Sequence, residues 1–319
     1  MIEKGSTAHS ASSGDTTLDR RYAWAEAALK EGDAAACVEI LDQTLAEAYH
    51  FTAAWHLYGL AQEALGRNEE AATAWRQCVS LDPNDHFGAR LDLARIGAMS
   101  AEDATSETFS GTLFDAYAER FDSHLTQALH YNAPALLKSA LVRICDNADR
   151  PFRFDTVLDL GCGTGLMGEA IRAETGFLAG CDVSPRMIER ARAKMRSDGQ
   201  PLYDKLAVAS LTAFLSSRPE ACADLVLAAD VFVYLGELGP AFAQTARVLK
   251  RGGLFAFTVQ SHDGEGVVVG ADRRFAHAEA WLRQRLGEAG LQPLLLEPAS
   301  TRQDRGVAVP GLLVVAERG

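Results

Sequence analysis

The chain has 319 residues and a formal net charge of −12. The acid excess runs through the whole length, with 8 basic and 15 acidic side chains in residues 1–100 and 23 and 28 in the remainder. That balance argues against a non-specific grip on nucleic acid, which rests on Lys and Arg at phosphates, and the length leaves room for two domains.

The six cysteines, at 37, 78, 145, 162, 181 and 222, form no C-x-x-C pair and no metal-ligand spacing, so no metal site is expected. There is no signal-peptide core and no apolar run of membrane-spanning length. The expectation is a protein of the reducing cytoplasm with no membrane partner.

Residues 1–16 are rich in Ser, Thr and Gly and predict a disordered tail. From 17 to 99 the pattern is one of short amphipathic helices with a 34-residue period. Trp24 aligns with Tyr58, Gly32 with Gly66, Cys37 with Ala71 and Leu41 with Trp75. Trp55, Tyr58-Gly59, Ala71, Trp75 and Pro83 in the second copy resemble the tetratricopeptide repeat (TPR). The first copy has Tyr49 where the repeat has proline, and a plain helical bundle is the alternative. A fifth helix over about 85–97 would cap the array. Such a module implies binding of a protein partner or acceptor.

Residues 100–108 are small and acidic and predict a linker, followed by a second domain over 109–319. Phe114, Tyr117 and Phe121 share one helical face; Tyr131 follows, then a helix over about 136–145. Next comes Val157-Leu-Asp-Leu-Gly-Cys-Gly-Thr-Gly-Leu-Met-Gly168, a buried strand, a glycine turn and the start of a helix. A second apolar run, 176–181, ends at Asp182, where an acid can bond a ribose diol. Ser184-Pro185 is a helix start, with Ser as N-cap and Pro at N1. Further strands are predicted at 206–211, at 223–230 and within 248–259, with a turn at Gly252-Gly253. The tail offers Asp272–His277, a helix to about Gly290, and strands near 293–297 and 311–317.

The stretch Asp159-Leu-Gly161-Cys162-Gly163-Thr164-Gly165 resembles motif I of the class I S-adenosylmethionine (SAM) methyltransferases, and Asp182-Val183-Ser-Pro-Arg-Met187 resembles their motif II. With the Phe114–Asp122 helix, the Ala229–Gly236 stretch and Arg274–His277, residues 109–319 resemble the bacterial TPR-containing predicted methyltransferases. The resemblance implies an α/β fold, with a mostly parallel Rossmann-like sheet closed by an antiparallel C-terminal strand. It also implies SAM as cofactor. Asp159, Gly161, Cys162, Gly163, Thr164 and Gly165 would hold it, with Asp182 on the ribose and Val183, Met187, Ser210, Leu211 and Ala229 around the rest. Tyr117 and Tyr131 would belong to a segment folded over the cofactor, with ordinary core packing as the alternative. Ser210 stands where the family usually has an aspartate for the adenine amino group, which would make that contact weaker.

Methyl transfer needs the acceptor held in line, and a base only where the nucleophile carries a proton. Asp230, Tyr234 and His277 are the candidate bases. Two other readings compete with this one. One is a TPR scaffold with a SAM fold that does not turn over. The other is a dinucleotide-dependent oxidoreductase, since Gly163, Gly165 and Gly168 also satisfy G-x-G-x-x-G. The acceptor itself is not specified by these motifs.

Overall fold

Asp15 opens the first helix, its carboxylate accepting from the backbone N–H groups of Thr17 and Leu18. Ser12 and Ser13 in turn donate to Asp19 in that helix. The end of the expected tail is therefore a built helix start. The computed structural model describes residues 11–120, 131–304 and 306–319, so the first ten residues of the tail and Phe121 lie outside the described residues.

The chain divides into two compact units, the first ending at Phe109 and the second running from Ser110 to Gly319. The first holds helices α1 (Thr16–Lys30), α2 (Ala34–Glu47), α3 (Thr52–Ala64), α4 (Asn68–Leu81) and α5 (Ala89–Arg95). Gly32 and Gly66, 34 residues apart, both take positive φ (89° and 75°) just beyond α1 and α3, as the left-handed end of a helix requires. Gly59 has a different role. A Cβ there would lie 2.2 Å from Trp75 Nε1, so the missing side chain lets α3 and the fully buried Trp75 of α4 close on each other. The stretch expected as a linker contains a 3₁₀ turn, Glu102–Ala104, and the first residues of α6 (Glu107–Tyr117).

In the second unit a central sheet has strand order β3-β2-β1-β4-β5-β11-β8. Its strands are β1 (Phe154–Leu160), β2 (Thr175–Asp182), β3 (Lys205–Val208), β4 (Ala223–Ala228), β5 (Leu249–Ser261), β8 (Leu291–Ala299) and β11 (Gly311–Arg318). Pairing is parallel from β3 through β5, and β11 runs antiparallel to both β5 and β8. This is the expected mostly parallel sheet with an antiparallel C-terminal strand. Burial on both faces explains the unbroken apolar runs of β1 and β4. One face packs Phe232, Phe242, Phe255 and Phe257, all fully buried, with ring centroids 4.5–6.0 Å apart. The other packs Leu137, Leu141, Phe154 and Val157.

Three details depart from the sequence reading. Gly252-Gly253 do not end a turn ahead of the strand but sit inside β5, where the pairing with β4 slips between Ala223 and Leu225. The stretch leading to His277 contains a short strand that the sequence reading did not include. It forms β7 (Phe275–His277), paired with β6 (Val267–Val269) and with the end of β5, and the helix begins at Glu279. A small hairpin, β9 (Gln303–Asp304) and β10 (Val307–Ala308), lies between β8 and β11. Among the described residues no helix is long and apolar enough to cross a membrane.

Candidate active site

The parallel strands β1, β2 and β4 all end on one side, where an open α/β sheet binds ligands. After β1, Gly161, Gly163 and Gly165 take φ of 59°, 53° and 97°, a run of left-handed residues that glycine adopts without strain. A Cβ at Gly161 would lie 2.7 Å from Val231. The loop is held from β2, where Cys162 N–H donates to the Cys181 carbonyl at 2.8 Å and Gly163 N–H donates to Asp182 Oδ2 at 3.0 Å. Thr164 is fully buried behind it.

Asp159, near the end of β1, is 1% exposed. Its Oδ2 accepts from the Tyr203 hydroxyl at 2.6 Å, and its Oδ1 is buried without a hydrogen-bond partner. Burial pushes its carboxyl up to about 7, against the Tyr203 bond and with help from the neighbouring Asp182. Asp182, at the tip of β2, accepts from Gly163 N–H and Ser184 N–H, and burial raises it too. A buried carboxylate oxygen in want of a donor fits an ammonium group. Backbone with no Cβ fits the close approach of a nucleoside. The residues present therefore suit SAM.

The helix Pro185–Ala193 follows β2 as expected. Ser184 caps it, accepting from Met187 N–H at 3.1 Å and donating to Asp115 of α6. Arg186 N–H also reaches Asp115, at 3.3 Å. Met187 is fully buried and Val183 half-buried. Ser210 caps the helix Leu211–Ser216, accepting from Ala213 N–H at 3.3 Å, so its hydroxyl serves the backbone. Leu211 points into the core. Tyr117 closes α6, and its side chain lies outside the described residues. Tyr131 donates to the Ala229 carbonyl at 3.4 Å, and burial holds its hydroxyl well above the ordinary range.

The three candidate bases surround the loop after β4. Asp230 has φ +60°; its N–H donates to Thr258 Oγ1, and its carboxylate accepts from Thr301 at 2.9 Å and Arg302 at 3.3 Å. Arg302, 4% exposed, also donates to Gln260 and Asp272. Tyr234 packs edge-on against Phe114 at 4.9 Å, with the Arg274 guanidinium 5.5 Å from its ring centre, and burial raises its hydroxyl. His277 is fully buried, its Nε2 3.0 Å from the Leu235 carbonyl. Burial pulls it down to about 4, so the neutral ring donates from Nε2. Phe232, in the aromatic cluster, fixes the same loop from below.

Tyr203, Asp115 and Arg302 escaped the sequence reading. Only Asp115 carried a usable signal, as the acid beside Phe114 on the aromatic helix.

Residues 158–255 match the family model described as a methyltransferase domain. The chain is 29% identical over 218 residues to the 27-O-demethylrifamycin SV methyltransferase of Amycolatopsis mediterranei, covering 60% of this chain and 76% of that protein. It is 30% identical over 151 residues to methyltransferase-like protein 27 of Homo sapiens, covering 47% and 57%. It thus spans about three quarters of the first relative and little over half of the second. Among solved structures, magnesium protoporphyrin IX methyltransferase from Synechocystis PCC 6803, with bound SAH, aligns at a TM-score of 0.51 and 17% identity over 67% of this chain and 99% of that one. That likeness concerns the fold. Residues 158–255 form a methyltransferase domain, and SAM-dependent methyl transfer is the activity of that domain.

Proposed function

We propose that the acceptor is an oxygen nucleophile that ionises by itself, a phenol, enol or carboxylic acid, on a small or carrier-borne molecule. The engagement of Asp230 by Arg302 carries this reading. Both oxygens of the Asp230 carboxylate are already occupied, one by the Thr301 hydroxyl and the other by the Arg302 guanidinium. Burial holds His277 near 4 and Tyr234 in its protonated form. The three candidate bases are thus a neutral buried histidine, a protonated tyrosine and a carboxylate whose oxygens are engaged, which favours an acceptor that needs no base. The 27-O in the name of the Amycolatopsis relative agrees with an oxygen acceptor.

SAM, when bound, supplies an electrophilic methyl group. The chain's own work is then to bind and orient. Asp159 would accept from the amino group and Asp182 from the ribose, and Met187 and Val183 would wall the adenine. The Asp230–Tyr234 loop, fixed by Phe232, Thr258 and Arg302, walls the acceptor side and excludes water. Ser210, committed to its helix, leaves the adenine to backbone groups.

The first unit reads best as a TPR-like module that recruits the acceptor or a protein that carries it. The paired glycines at 32 and 66 and the Gly59–Trp75 contact support that assignment.

The test is a panel of phenols, carboxylic acids, aliphatic alcohols and amines incubated with SAM, reading S-adenosylhomocysteine release. Turnover should follow the ionised fraction of the oxygen acids. Faster turnover on aliphatic alcohols or amines would overturn the proposal. Removal of residues 1–100 should leave SAM affinity intact and lower turnover only on the recruited acceptor.

A further inference from the structure

Tyr203 is 5% exposed and lies between the short bridge Met195–Pro201 and β3. Its ring fills the space that side chains would need at three glycines. A Cβ at Gly165 would stand 3.0 Å from it, at Gly180 2.9 Å, and at Gly168 2.3 Å from its hydroxyl oxygen. Those glycines belong to the motif I loop, to β2 and to the helix Leu166–Ile171. One aromatic ring thus wedges the three elements at a fixed spacing. Its hydroxyl donates to one oxygen of Asp159, whose other oxygen has no partner.

We propose that Tyr203 is a positioning residue for the cofactor: it pins Asp159 and favours the charged carboxylate, so that capture of the SAM ammonium is coupled to loss of the Asp159 proton. The inference rests on the assignment of SAM to this site. The groups that face Asp159 are Tyr203 ahead of β3, Asp182 and Cys181 on β2, Cys162 in the loop, and Tyr131. Asp182 is the formally charged one, and its negative charge opposes ionisation. Burial opposes it as well; the Tyr203 hydroxyl works the other way. Binding of a cation then strengthens as pH rises and levels off once Asp159 is ionised. Loss of the hydroxyl moves that midpoint upward.

The experiment is calorimetric titration of the full chain with SAM from pH 6 to 8.5, for wild type and Tyr203→Phe. The ligand's own amino titration is common to both proteins and cancels in the comparison. Tyr203→Phe keeps the wedge, so its melting temperature should stay near that of wild type. Its affinity should fall roughly three- to tenfold near pH 7, since one pKa unit is a factor of ten, and recover toward wild type at high pH. Asp159→Asn, which keeps the shape and removes the titration, should give a profile flat apart from the ligand's contribution. A loss of affinity in Tyr203→Phe that is equal at every pH would overturn the inference. So would an Asp159→Asn profile identical to wild type. No SAM binding by wild type at any pH would instead reject the cofactor assignment, and the inference with it.

Discussion

The Ser184 hydroxyl donates to Asp115 while it accepts from Met187 N–H, so one side chain joins the cap of the helix after β2 to helix α6. Asp115→Ala removes the first bond, together with that from Arg186 N–H, and spares the second. Stability should fall by about 1–3 kcal/mol, the usual net worth of two such bonds. The informative measurement is hydrogen exchange with and without SAM. Amides of 110–117 should exchange faster in the variant and regain less protection from the ligand. Identical exchange in both proteins would separate α6 from the cofactor.

Gly161→Ala meets two penalties. A non-glycine residue at φ +59° costs about 1–2 kcal/mol, and the new methyl collides with Val231, costing about 1–3 kcal/mol more. Adding Val231→Ala should relieve the collision but not the strain. A double-mutant cycle in urea should therefore show positive coupling between the two sites. Strict additivity would mean that Val231 moves aside freely.

His277 sets an acid limit. Its folded pKa of about 4 lies below its unfolded value of 6.5, so its stability contribution is complete above pH 6.5 and is lost as pH falls toward 4. The largest loss is about 3 kcal/mol. Asp159, raised to about 7, has the opposite sign: its contribution is complete below about pH 4 and is lost as pH rises to 7. The comparison of wild type with His277→Gln isolates the histidine. The variant should lose less stability between pH 7 and pH 4.5 than wild type does, by urea midpoint. Parallel losses would place the acid limit elsewhere.

Arg302 holds two carboxylates, Asp230 and Asp272, with its own side chain 4% exposed. Arg302→Met leaves the part-buried charge of Asp230 without its cation and held only by the Thr301 hydroxyl, a change that costs up to about 3–5 kcal/mol. Pairing it with Asp230→Asn should recover part of that loss, because the orphaned charge is gone. A double variant no more stable than Arg302→Met would show that the packing of the guanidinium, not its charge, matters.

The parts of the site that could be read in advance are those whose residues adjoin in sequence. Asp159 through Gly165, Asp182 and the Ser184-Pro185 cap sit where strand, turn and helix signals put them. Ser210, expected at the end of a strand over 206–211, instead caps the helix Leu211–Ser216, because the strand stops at Val208. Tyr203 could not be found. Its meaning comes from three glycines at 165, 168 and 180 that lack a side chain, and no local pattern links them to a lone tyrosine. Asp230 and Arg302 are 72 residues apart, a pairing that only the finished sheet creates. The strands β6 and β7, three residues each, are too short to show an alternation, and Phe275–His277 runs directly into the apolar pattern of the following helix.

The strand that fills the gap between β5 and β8 follows both of them in the chain. While the protein is being made, β5 and β8 must each present a bare row of N–H and C=O groups until residues 311–318 emerge from the ribosome. Val314 and Val315, fully buried once in place, are the keystone of that half of the sheet. A ribosome stalled short of Gly311 would release a chain with two sticky edges facing one another across an empty slot, the form most exposed to pairing with its neighbours.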